Sequence, residues 1–197
     1  LDGTIPPENE RQYLQIISNE SRRLSRLVRR MLDVSQLQAM DPLKSGSHFD
    51  ICESMRRVLI SMEKKITDRH LDVDADIPEE PILVRGDNDM ITQVIYNLLE
   101  NATKFAREGT TLYLGVTTID GKARVTVRNL GDTIPAEELP LLFERFHKSD
   151  KSRSEDKDGV GLGLYIVKTI LEQHKEKINV TSENGVTTFA FSLSMDA

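Results

Sequence analysis

Asn97 and Asn101 lie four residues apart, a type and spacing that can do chemistry. They sit in the stretch 87–105, where Met90, Ile91, Val94, Ile95, Leu98, Leu99 and Ala102 recur at helical intervals and define a core-facing side. A four-residue step stacks the two carboxamides on one face, one turn apart. Asparagine is a mediocre helix former, so the pair needs an explanation. One reading is a polar face with incidental amides. The other is a pair of neutral oxygen ligands for a hard cation such as Mg²⁺, which keeps several waters and bridges to phosphates.

A second candidate is Asp158-Gly159-Val160-Gly161-Leu162-Gly163-Leu164, which runs directly into a helical pattern over 164–173. Glycines permit close backbone approach, and a helix N-terminus offers free N–H groups to an anion, so phosphate binding is the physical reading. A hinge would use the same residues. The segment is not a Walker A loop, because no Lys-Ser or Lys-Thr follows the last glycine, and its spacing is not that of a dinucleotide fingerprint. Upstream, Phe143 and Phe146 are three apart in Leu142-Phe143-Glu144-Arg145-Phe146. They suit a helix face packed on a core, or the anchor of a lid that closes over a nucleotide and excludes water. His147, Lys148, Lys151 and Arg153 are then either solvated charges or groups for the phosphates.

The elements that must position these residues follow from periodicity and turn chemistry. A helix is expected over 8–38, with Tyr13, Ile17, Leu24, Leu27, Met31 and Val34 following the three- and four-residue steps of a bundle seam. Arg22, Arg23, Arg26, Arg29 and Arg30 form a solvated face, and the partner of the apolar stripe is expected to lie outside this chain. Residues 1–7 read as a connector, and Asp41-Pro42 with Ser45-Gly46-Ser47 marks a boundary. Strands are expected over 48–51, 71–77, 82–84, 111–118 and 123–128, the last two joined at Asp120-Gly121. A helix carrying Met55, Val58, Leu59, Met62 and Ile66 lies between the first two. One or two helical turns are expected over 137–146, a polar mobile stretch over 147–160, and a closing hairpin of 178–182 with 187–193 around Asn184-Gly185. Helices mixed with antiparallel strand pairs indicate an α+β sandwich.

Composition excludes several classes. A formal net charge of −6 over 197 residues argues against a nucleic-acid binder. Cys52, the only cysteine, has no disulfide partner, which fits a reducing compartment. No apolar run approaches the roughly 20 residues of a membrane span. The chain opens on Leu1 without an initiator methionine, and the expectation is a fragment of a longer protein.

Taken in order, these pieces match a family. Asn97-Leu98-Leu99-Glu100-Asn101-Ala102-Thr103-Lys104-Phe105 resembles the N box of sensor histidine kinases. Val127-Arg128-Asn129-Leu130-Gly131-Asp132-Thr133-Ile134-Pro135 sits where their G1 box falls. Phe143-Glu144-Arg145-Phe146 resembles the F box, and Gly159-Val160-Gly161-Leu162-Gly163-Leu164 the G2 box. One box would be weak; four in order are specific. The resemblance implies a Bergerat fold, a mixed sheet backed by helices on one face with ATP under a lid, preceded by one long coiled-coil-type helix. Residues 1–44 would be the second helix of the dimerisation and phosphoacceptor hairpin, and 45–197 the catalytic domain. By the same resemblance Asn101 would be the principal Mg²⁺ ligand, Asn97 would act near the metal and phosphates, and Lys104 would contact phosphate. Asn129 would face the adenine amino group, and Gly131 would let its loop approach the base. Gly161 and Gly163 would cradle the phosphates, with Gly159 and Leu164 completing the nucleotide-binding set. Lys148 holds the position where the family often has an arginine beside the γ-phosphate.

Three positions depart from the family pattern. Asn129 replaces an aspartate, although an amide oxygen still accepts from an amino group and its NH₂ can also donate. Thr133 replaces the second G1 glycine, which restricts that loop. Lys175-Glu176 replaces a Gly-Gly after His174, a change confined to a turn. His174 itself reads as a cation favourable to a helix C-terminus.

Hydrolytic relatives, and the related serine kinases, place a glutamate one turn before the metal-binding asparagine, where it takes a proton from water or a hydroxyl. Here that position is Asn97, and Glu100 points about 100° away from Asn101. A neutral imidazole needs no such base, so phosphoryl transfer to histidine is favoured over hydrolysis. None of His48, His70, His147 and His174 is followed by the acidic residue and Thr-Pro of an H box. The expectation is therefore the ATP-binding catalytic part of a histidine kinase, dependent on ATP and Mg²⁺ and lacking its own phosphoacceptor. The γ-phosphoryl group would go to an upstream histidine and then to a response regulator. The parent would be a homodimer, cytoplasmic here, binding no nucleic acid and meeting a membrane only through upstream segments. The alternatives are a degenerate ATP-binding scaffold and an ATP-hydrolysing member of the superfamily.

Overall fold

The computed structural model describes residues 7–39, 47–148 and 161–195. The connector at 1–6, the boundary residues 40–46, and Gly159, Lys151 and Arg153 lie outside the described residues. The elements in order are α1 (Pro7–Ala39), β1 (His48–Asp50), α2 (Ile51–Asp68), β2 (Asp72–Asp76), β3 (Leu83–Arg85), α3 (Asn88–Phe105), β4 (Thr111–Ile119) and β5 (Lys122–Leu130). A 3₁₀ turn (Leu139–Phe143), α4 (Gly163–Gln173), β6 (Ile178–Glu183) and β7 (Val186–Ser194) complete the chain.

Alternation builds the sheet. Leu112, Leu114 and Val116 of β4, Ala123, Val125 and Val127 of β5, and Phe189, Phe191 and Leu193 of β7 are buried, while the residues between them face outward. Two hairpins close on turns whose central residues have positive φ, Asp120 (50°) with Gly121 (72°) and Asn184 (50°) with Gly185 (78°). Positive φ at both central positions is the type I′ geometry that matches strand twist. The hairpins join through an antiparallel β5–β7 pair, and β2 adds in parallel to β4, giving the order β2-β4-β5-β7-β6. The result is the expected mixed sheet. The separate β1–β3 pair is antiparallel, with Phe49 opposite Val84.

Against the inner face pack α2, α3 and α4. The periodic residues of α3 are all buried, Ile91, Val94, Ile95, Leu98 and Leu99 completely. Asp87 caps α3 as expected, its Oδ1 accepting from the Met90 N–H at 3.0 Å. Asp50 caps α2 through Cys52 N–H and also accepts from Ile82 N–H, tying α2 to β3. Cys52 is buried, and that burial, followed by the neighbouring Asp50 charge, pushes its thiol pKa up, which makes it a packing residue. On α1, Tyr13, Ile17, Leu24 and Met31 of the proposed seam are exposed.

Two expectations need correction. His174 is not a helix-end cation: it is buried, with Nδ1 bonded to the Ile170 carbonyl at 2.8 Å and Nε2 accepting from the Asp87 N–H at 3.1 Å. That pattern requires the neutral tautomer protonated on Nδ1, and it staples the end of α4 to the start of α3. Gly86 is needed beneath it, since a Cβ there would meet the His174 ring at 2.7 Å. The phenylalanine pair also divides. Phe143 is buried edge-to-face on Phe189, whereas Phe146 is exposed with φ 62°, so the two share no helix face.

Candidate functional site

Helix α3 carries the polar face. At 100° per residue, Asn97, Asn101 and Lys104 fall within about 60° of one another, and all three are half-buried. Asn97 is held at both ends: its Oδ1 accepts from Gln93 Nε2 at 3.0 Å, and its Nδ2 donates to the Gly163 carbonyl at 3.4 Å. The second bond joins α3 to the first residue of α4. Lys104 sits with Nζ 4.9 Å from the Phe105 ring centroid. Glu100 turns to the other side, where it accepts from Lys65 Nζ of α2 at 2.5 Å and from Tyr96 Oη at 3.4 Å. Lys65 Nζ also donates to Tyr96 Oη at 2.9 Å, and its bonds to Glu100 first and Tyr96 second raise the Lys65 pKa. The carboxylate nearest in sequence to Asn101 is therefore committed away from the asparagine face.

Helix α4 begins at Gly163 with no side-chain cap, so its first N–H groups are open to an anion. A Cβ at Gly163 would meet nothing within 4 Å, so space lies in front of that turn. Gly161 (φ +72°) is required: a Cβ would stand 2.7 Å from the His147 carbonyl, and the Gly161 carbonyl accepts from Phe146 N–H at 3.0 Å. Leu164 is half-buried against the core. The chain thus leaves at His147-Lys148 and returns at Gly161 at one place. Arg145 secures that junction by donating to Tyr165 Oη at 2.6 Å and stacking on its ring, and Lys168 lies 3.6 Å from Glu144. The His147 Nε2 is buried with no hydrogen-bond partner among the described residues. Lys148 follows it, half-buried.

At the far end of α3 lies the G1 loop. Gly131 packs on the end of α3 so tightly that a Cβ would stand 2.4 Å from the Phe105 carbonyl; Asn129 Nδ2 would be 3.4 Å away. Asn129 is 4% exposed, and the register aligns it with Thr187 of β7 and, through Thr187, with Ser182 of β6. This is a buried polar row at the end of an otherwise apolar inner face, with Ser182 and Thr187 hydroxyls 2.9 Å apart. Thr133 accepts from Gly185 N–H at 2.8 Å, Gly131 N–H donates to the Gly185 carbonyl at 2.8 Å, and Ile134 N–H donates to Ser182 Oγ at 2.9 Å. The threonine that departs from the glycine pattern therefore fastens its loop to the β6–β7 turn. Ser182 and Thr187 carry no signal of their own in the sequence, because their alignment with Asn129 depends on the β5–β7 pairing.

These contacts string the glycine segment and the G1 loop along α3. Gly163 lies at Asn97, Gly131 at Phe105, and Asn101 falls between, over eight residues or about 12 Å of helix.

Residues 86–197 match the family described as histidine kinase-, DNA gyrase B-, and HSP90-like ATPase. The chain belongs to this ATPase family. It is 30% identical over 195 residues to Sensor protein SrrB of Staphylococcus aureus (strain MRSA252), covering 98% of this chain and 33% of that protein. It therefore spans about a third of the length of the curated relatives it matches. The catalytic domain of histidine kinase ThkA, nucleotide-free, is similar with a TM-score of 0.67 at 28% identity, over 75% of this chain and 94% of that one. ThkA in complex with response regulator protein TrrA gives a TM-score of 0.68 at 26% identity, over 98% and 53%. No helix among the described residues is long and apolar enough to cross a membrane.

Proposed function

We propose that this chain is the ATP-binding catalytic part of a sensor histidine kinase, moving the ATP γ-phosphoryl group to a histidine in a segment upstream of Leu1 for relay to a response regulator aspartate. The observation that carries the reading is the chemistry of the α3 face. Asn97 occupies the position of the hydrolytic glutamate and its amide braces Gly163, while Glu100 is bonded to Lys65. Among the described residues no carboxylate on that face is placed to activate water, and an imidazole acceptor needs far less help than a hydroxyl. The similarity to SrrB and ThkA supports the same subclass.

The donor set suits Mg²⁺ that arrives with a polyphosphate. Asn101 offers a neutral oxygen, and among the described residues no cluster of three His, Cys, Asp or Glu could hold a metal alone. When bound, the ion neutralises phosphate oxygens and orients the transferred group. Asn101 holds it, Asn97 sets the α3–α4 distance, Lys104 and Lys148 supply cationic contacts, and Gly161, Gly163 and the open α4 N-terminus receive the phosphates. Asn129 and Gly131 receive the base. Residues 1–44 belong to a dimerisation and phosphoacceptor hairpin, a role supported by the exposed Tyr13, Ile17, Leu24 and Met31. The parent protein is then a homodimer that engages a receiver domain. Calorimetric titration with ATP, with and without Mg²⁺, tests the site. Mg²⁺-dependent tightening that Asn101→Ala abolishes is expected; equal affinity in both conditions would indicate a scaffold.

A further inference from the structure

Asn129 is a buried amide where an acceptor-only carboxylate would give an adenine pocket its selectivity, and its surroundings impose no hydrogen-bond sense of their own. It is 4% exposed, and among the described residues no hydrogen bond engages its side chain. Its neighbours along the inner row, Thr187 and Ser182, are hydroxyls, which donate or accept by rotation. Asp132, the nearest acidic residue in the loop, is exposed. Gly131, immediately above the amide, is fixed by the Phe105 and Gly185 carbonyls, so the loop holds its place while the amide turns.

The six-position edge of a purine presents two patterns. A 6-aminopurine offers an N6–H donor beside the N1 acceptor, and a 6-oxopurine offers an O6 acceptor beside the N1–H donor. A carboxylate accepts from the first and repels O6 of the second. An amide matches both, because a half-turn about its terminal torsion exchanges C=O and NH₂ at little cost. We infer that Asn129 makes this a purine site indifferent to the six-position, accepting inosine and guanosine triphosphates as well as ATP. The inference rests on the placement of the base at Asn129 given under Proposed function. Selectivity of this kind is large when a site is built to pair one sense only, since the wrong base leaves buried groups unmatched.

The test is competition of ATP, ITP and GTP against a fluorescent ATP analogue on the wild-type chain and on Asn129→Asp. Hypoxanthine carries O6 and N1–H without the 2-amino group, so ITP reads the edge free of any steric limit at position 2. Wild type is expected to bind ITP within about tenfold of ATP, and Asn129→Asp to restore a preference for ATP of roughly 100-fold. ITP bound with GTP rejected upholds the inference and places a steric limit at the 2-amino group. If wild type binds ATP but ITP more weakly by about 100-fold, the inference fails by itself. If ATP does not compete, the nucleotide site fails and the inference with it. The wild-type ATP to ITP ratio decides the matter even if the aspartate variant does not fold.

Discussion

At the scale of single residues, the asparagine face of α3 is distinct from the face on which Glu100 is bonded. Glu100 is adjacent to the proposed metal ligand, yet it belongs to the α2–α3 contact through Lys65 and Tyr96. Glu100→Gln should leave ATP affinity within about twofold of wild type, because an exposed ion pair contributes less than about 1 kcal/mol. A collapse of nucleotide binding in that variant, measured by the same titration, would return Glu100 to the site. The pair also has a pH signature. Its partners raise the Lys65 pKa above 10.5, so its stabilisation is fully present below the ordinary lysine range and is lost as pH rises through the raised value. Thermal melts from neutral to strongly alkaline pH should show a small alkaline loss that Glu100→Gln removes. Lys175 offers the opposite case: it holds φ 60° in the turn after α4, where glycine is favoured, and Lys175→Gly should raise stability by about 1 kcal/mol in denaturant titration.

At the scale of elements, the cleft depends on three fastenings between segments distant in sequence. Asn97 ties α3 to α4, His174 ties α4 to the cap of α3, and Thr133 ties the G1 loop to the β6–β7 turn. Thr133→Val removes the acceptor for Gly185 N–H and should cost about 1 kcal/mol of stability, with weaker nucleotide binding as the loop loosens. Gly131→Ala is expected to be more damaging, since its Cβ would stand 2.4 Å from a backbone carbonyl that cannot rotate away. Nucleotide titration and thermal melts of the two variants rank these effects. What the sequence disclosed sorts along the same line. The α3 stripe, the Asp87 cap and both hairpin turns were legible because each is a local pattern of side-chain period or turn chemistry. The parallel pairing of β2 with β4, the His174 bond to Asp87 and the Thr133 bond to Gly185 are set by tertiary packing, and nothing local announces them. The Phe143–Phe146 spacing misled because the chain leaves its short 3₁₀ turn at Glu144 and turns Phe146 outward.

At the scale of the molecule, the proposed site sets the base against the buried Asn129, Thr187 and Ser182 row of the sheet and the phosphates against α3 and α4. Asn101 lies between them, half-buried on α3. The apolar face of α1 stays exposed at Tyr13, Ile17, Leu24 and Met31, and the proposed function separates a phosphotransfer unit that extends beyond this chain from the unit that binds nucleotide. That difference sets the most direct test of the account. The full-length parent protein and this 197-residue chain would each be incubated with γ-labelled ATP and Mg²⁺, and the label mapped by acid-labile, alkali-stable phosphate chemistry. Phosphohistidine is expected upstream of Leu1 in the parent, none on this chain, with loss of the label in Asn101→Ala. Label on this chain itself, or steady release of phosphate with no phosphohistidine in the parent, would contradict it.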